Sequence, residues 1–159
     1  MRHPSKSACR TGCLFAALLV AGCGDEVEIT LHLASQSPCY QPASMIKSFA
    51  IRAIRPDPAP AVLLSEHCLA ADVPATQEGI AAALGRRGYV VKDVDASQST
   101  QVHVIAHAAQ GCPTDSAALI CLLSDPVSPS GERQEVRLVP ICPGDGGWHV
   151  CVSLGKTPL

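Results

Sequence analysis

Six cysteines spread over residues 39–151 constrain this chain more than any other feature of its sequence. They are Cys39, Cys68, Cys112, Cys121, Cys142 and Cys151. Three more, Cys9, Cys13 and Cys23, lie in the first 23 of 159 residues. None forms a Cys-x-x-Cys pair, which argues against a zinc ribbon or a thioredoxin-type motif. An even set at wide spacing in an exported domain implies three disulfides. Whether the chain is exported is therefore the first thing to establish.

The first 22 residues answer it. Arg2, Lys6 and Arg10 come before a short apolar run, Cys13 to Ala21, and no acid precedes Asp25. A basic start followed by a short apolar stretch reads as a secretory signal. The run is too short for a transmembrane helix, which needs about 20 apolar residues. Residues 14–21 have no polar face at helical spacing, as a buried globular helix would.

Val20-Ala21-Gly22-Cys23 resembles the lipobox of bacterial lipoprotein precursors, with Cys23 at that motif's invariant position. The resemblance covers residues 1–23 alone. It implies that Cys23 takes a diacylglycerol, becomes the new N-terminus and is then acylated. Two or more acyl chains anchor stably where one holds marginally. Gly24 at the next position implies the outer membrane as the destination. A plain secretory signal cut near the same place would release the same domain.

The expected organisation is thus a signal peptide over 1–22, a lipidated N-terminus and short tether over 23–26, and one domain over 27–159. Loss of the leader removes three of the 12 basic residues and none of the 14 acids, so the remainder carries a net charge of −5. That excludes a basic face for nucleic acid. The expected partners are the bilayer, through Cys23, and a protein or carbohydrate.

Periodicity indicates strands. Val27, Ile29, Leu31 and Leu33 alternate with Glu28, Thr30, His32 and Ala34, the pattern of a half-buried strand. Further strands are expected at 47–55, 61–65, 89–94, 100–108, 117–123, 134–141 and 148–154. Residues 76–86 read as the one helix, with Thr76 as cap, Glu78 in the first turn and Ile80 and Leu84 on one face. The predicted fold is all-β: an antiparallel, Ig-like or prealbumin-like sandwich of seven or eight strands with one short helix, stabilised by disulfides.

Six cysteines allow 15 pairings. Local spacing suggests Cys142–Cys151 across a turn at Gly146-Gly147, Cys112–Cys121 at the same separation, and Cys39–Cys68 by remainder. A C-terminal hairpin would follow, with Trp148 beside its turn. Trp148 is the candidate binding residue, although packing is the favoured role.

Other chemistry is sparse. His103 and His107 would share a face of a strand about 13 Å apart, too far for one metal, and are expected to face solvent. His67-Cys68 are sequence neighbours, which catalytic pairs seldom are. Asp145 is a lone acid, too little for calcium. No nucleophile elbow, P-loop or dinucleotide fingerprint occurs. The expectation is a non-enzymatic binding or assembly module without cofactor or metal. A small hydrolase or metal binder using His103, His107 or His149 is the alternative.

Overall fold

A computed structural model describes residues 25–34, 37–57, 61–85, 87–95, 97–114, 118–129 and 131–153. Cys23 and the leader lie outside the described residues. The elements are β1 (Asp25–Leu33), β2 (Gln41–Arg55), β3 (Val62–Ala75), α1 (Gln77–Leu84), β4 (Gly88–Val94), β5 (Gln101–His107), β6 (Ala118–Ser124), β7 (Arg133–Ile141) and α2 (Gly146–Ser153).

The strands form one sheet in the order β3-β2-β5-β6-β7-β1-β4. Every pairing is antiparallel except β1 with β7, which run parallel from Glu28 opposite Arg133 to Leu33 opposite Leu138. The mostly β class and the three disulfides are as expected. The two-sheet antiparallel sandwich is not what forms. A single mixed sheet curls until its edge strands, β3 and β4, meet: His67 Nε2 on β3 lies 3.0 Å from the Val90 carbonyl on β4. Three register shifts between β2 and β3 help it curl, because an unpaired residue bends its strand and adds twist.

Alternation along the strands fills the curl. Ile29 and Leu31, Ile51 and Ala53, Val102 and Val104, Ile120 and Leu122, and Val136 and Leu138 all belong to one buried apolar cluster. Helix α1 contributes Ile80 and Leu84 to it, both fully buried. The Thr76 side chain accepts a hydrogen bond from the Gly79 N–H at 3.1 Å and caps the helix as predicted.

The last predicted strand is a helix instead. After Pro143, Gly144 takes φ +96°, which suits a residue without a Cβ. Asp145 N–H donates to the Cys142 carbonyl at 3.0 Å, and the Asp145 carboxylate accepts from the Cys142 N–H at 3.0 Å. The Asp145 carbonyl then receives the Trp148 N–H at 2.9 Å, which starts α2. Asp145 thus serves the turn, and the expected hairpin does not form.

The disulfide pairing also differs from the expected Cys39–Cys68, Cys112–Cys121 and Cys142–Cys151. The bridges are Cys39–Cys142, Cys68–Cys112 and Cys121–Cys151, with Cα separations of 4.9, 5.9 and 6.3 Å. Sheet register is the reason. Cys68, Ala50, Ile105 and Cys121 lie side by side in one row across β3, β2, β5 and β6. Segment 108–113 and α2 both fold back over that row, bringing Cys112 to Cys68 and Cys151 to Cys121.

Gly79 generates a prediction. Alanine in a helix is favoured over glycine by about 1 kcal/mol. A Cβ at Gly79, however, would run into the Pro74 carbonyl at the end of β3, a backbone atom that cannot step aside. Gly79→Ala should therefore destabilise the fold by about 1–3 kcal/mol, read as a lower denaturant midpoint at unchanged slope.

Candidate functional site

Two polar clusters interrupt the apolar packing, one on each face of the sheet. The outer one is built around the Arg52–Glu66 ion pair, and the inner one around hydroxyls and an imidazole.

The first sits inside the barrel at the meeting of β3 and β4. Glu66 and Cys68 lie in the outward register of β3, so Ser65 and His67 turn inward, ahead of Leu69, Ala71 and Val73 in the core. On β4, Tyr89 and Val91 face the same interior. Together they border a cavity of about 10 Å³ whose other walls are Ile29, Leu31, Ile51, Ala53 and Val102. Among the described strand pairings no ladder joins β3 to β4. The seam is spanned by the His67 imidazole, whose ring lies 6.0 Å from that of Tyr89. A carbonyl only accepts, so His67 Nε2 carries a proton and donates to Val90.

Two hydroxyls in this cavity have no hydrogen-bond partner: Ser65 Oγ and Tyr89 Oη, both buried. Tyr89 is only 7% exposed. Burial pushes its pKa above the usual phenol value, with the Arg87 charge opposing, so the hydroxyl stays protonated and able to donate. An unpartnered buried hydroxyl costs roughly 1–3 kcal/mol, so two on one apolar cavity call for an explanation. The arrangement can offer donors and acceptors to an oxygen-bearing group. Cys68 is not part of it: that residue points to the opposite face from His67 and is bonded to Cys112.

The second cluster lies on the outer face. Glu66, Arg52 and His103 form one row across β3, β2 and β5, and Ser48 and His107 are paired four residues further along. Arg52 Nε donates to the Glu66 carboxylate. His103 and His107 share a strand face as predicted, but they do not meet solvent: they are 0% and 5% exposed. Segment 108–113 and α2 cover them. Ser48 Oγ donates to the Ala109 carbonyl at 2.7 Å and accepts from the Cys112 N–H at 3.1 Å, which seats the covering segment. Burial lowers the pKa of His103 to about 4, with Arg52 adding to the effect and the Cys151 backbone opposing it. His107 is lowered too, by burial first and Arg52 second, against the pull of Glu66. Both rings are neutral at pH 7.

Trp148 is half-buried on α2 and packs with Ala50, Ile105, Cys121 and Cys151 in a small outer core, the packing role favoured for it. His149 is exposed on the same helix. Among the described residues, one group of three possible metal ligands lies close together: Cys39, Cys142 and Asp145. The two sulfurs are bonded to each other, so Asp145 alone has a free ligand atom.

Sequence reading missed Ser65, Tyr89, Arg52 and Glu66. The seam did leave a trace: two polar residues, 65 and 67, hold consecutive inward positions on an otherwise apolar strand face. No family model, curated protein or solved structure matches the chain.

Two predictions follow from the clusters. Tyr89→Phe deletes a hydroxyl that no protein group satisfies, so thermal and chemical denaturation should place its stability within about 1 kcal/mol of the parent or above it. His103 has a folded pKa near 4 against 6.5 in the unfolded chain, so folding binds fewer protons. Stability should be full above pH 6.5 and fall as pH drops toward 4, by about 3 kcal/mol from this residue. His103→Gln, neutral at every pH, should flatten that part of the stability–pH curve.

Proposed function

We propose that this chain is a lipid-anchored module of the bacterial envelope, held through Cys23, that binds a small ligand without chemical conversion at the β3–β4 seam. The ligand has an apolar body and one hydrogen-bonding oxygen. The body meets the aliphatic walls, and the oxygen meets the hydroxyls of Ser65 and Tyr89. The observation that carries this reading is the pair of unpartnered buried hydroxyls beside an edge that no ladder closes. Apolar pockets with a few convergent polar groups are where small molecules bind. As it stands the cavity has room for about one water molecule. A larger body enters by parting β3 from β4 and breaking the His67–Val90 bond.

The cysteines support the anchor. Six of them pair completely among themselves, which leaves Cys23 for lipid once the leader is cut. β1 starts at Asp25, so almost no tether separates the barrel from the membrane surface.

Cyclohexanol, an apolar ring with one hydroxyl, is a suitable probe. It should bind saturably and shift the amide resonances of Tyr89 and Val91, with Tyr89→Phe weakening it about tenfold, the loss of one hydrogen bond of about 1.4 kcal/mol. Equal affinity in the variant, or no saturable binding, would refute the site. For the anchor, Cys23→Ser should move the protein from the membrane fraction to unprocessed or soluble forms. An unmodified N-terminal peptide in the wild type would refute lipidation.

A further inference from the structure

The outer face carries a feature that the seam reading does not use. Cys121 and Cys151 are both fully buried, and Cys39 is buried at the bridge with Cys142. Cys68–Cys112 is different: Cys68 is exposed on the outer side of β3, and Cys112 is half-buried at the end of the covering segment. Cys112 is also the one non-glycine among the described residues with a positive φ, +51°, directly after Gly111 at +77°. A side chain in that left-handed region is strained and stays there only when its surroundings hold it. The holding groups include the bridge itself and Ser48 Oγ, which donates to the Ala109 carbonyl and accepts from the Cys112 N–H. Residues 108–111 are all exposed on their outer side, so little apolar burial secures them.

We propose that the Cys68–Cys112 bridge is a thiol–disulfide exchange site for small thiols and dithiols, whose reduction lifts residues 108–112 from the sheet and uncovers Ser48 and His107. The reductant's thiolate attacks the exposed Cys68 Sγ. The Cys68–Cys112 bond breaks, and Cys112 leaves as a thiolate that takes up a proton. The reductant's second thiol then displaces Cys68 from the mixed disulfide. Two electrons pass to the bridge, the reductant ends as its own disulfide, and both cysteines end as thiols. Freed from the bridge, Cys112 can return to negative φ, which turns the segment away from Ser48. Helix α2 stays in place because the buried Cys121–Cys151 bridge is untouched, so His103 stays covered while His107 opens. Reduction thereby exposes one histidine of the Arg52–Glu66 cluster and not the other.

The test uses the full chain, oxidised, in detergent. It is treated with graded dithiothreitol, alkylated with iodoacetamide, and in parallel exposed to diethyl pyrocarbonate, with peptide mass spectrometry assigning every site. Cys68 and Cys112 should be alkylated at roughly tenfold lower dithiothreitol than Cys121 and Cys151, and below the level needed for Cys39 and Cys142. In that singly reduced protein His107 should be modified and His103 protected. A Cys68→Ser, Cys112→Ser double variant should show His107 modification with no reductant at all. Simultaneous reduction of all three bridges, prior reduction of either other bridge, or selective reduction with His107 still protected would each overturn the proposal. So would a folded double variant whose His107 is protected.

Discussion

Two disulfides that fasten cover onto the outside of a curled sheet are the interaction on which this structure rests. A barrel's outer face ordinarily meets solvent and carries polar residues. Here Ala50 and Ile105 sit in the middle of that face between Cys68 and Cys121, and each flanking cysteine pulls a segment over them. The result is a second, smaller core outside the first, which lets β5 be buried on both faces. With Tyr40, Phe49, Tyr89 and Trp148 as its few aromatics, the domain has little bulky apolar area with which to fill a single core. Long-range bridges offset that shortage. Sequence separations of 30, 44 and 103 residues correspond in the loop-entropy model to about 4–5 kcal/mol each, more than shorter local pairings would supply.

What could be read beforehand follows the range of the forces involved. Period-two alternation fixes a strand locally, and β1, β5 and β7 fall where the pattern places them. The Thr76 cap is a contact across three residues, and it too was legible. Nothing local encodes that β1 pairs in parallel with β7, since Glu28 and Arg133 lie 105 residues apart in the chain. The same limit misassigned the bridges. Cys112 and Cys121 are close in sequence, yet residues 108–113 fold back over β2 and set Cys112 beside Cys68. Residues 148–154 were ambiguous for another reason. A run this short suits either a strand or a helix with Trp148 and Cys151 on one face, and the bridge to Cys121 with the Asp145 turn decides it.

The histidines show the same principle. Their strand spacing was readable, but whether their face met water depended on segments far along the chain. Once covered, His103 and His107 are held neutral beside a buried Arg52, whose charge is balanced by Glu66. In that cluster the Arg52 and Glu66 charges compensate each other. At the seam His67 bridges the edges, and Ser65 and Tyr89 bring hydroxyls into an apolar interior and leave them without partners.

The outer cover, the buried histidines and helix α2 all follow from which cysteines are joined. Peptide mapping of the unreduced protein by mass spectrometry reads that connectivity directly. It should return peptides linked through Cys39–Cys142, Cys68–Cys112 and Cys121–Cys151. Linked peptides joining Cys112 to Cys121 or Cys142 to Cys151 would contradict it, since either pairing would strip the cover from Ala50 and Ile105.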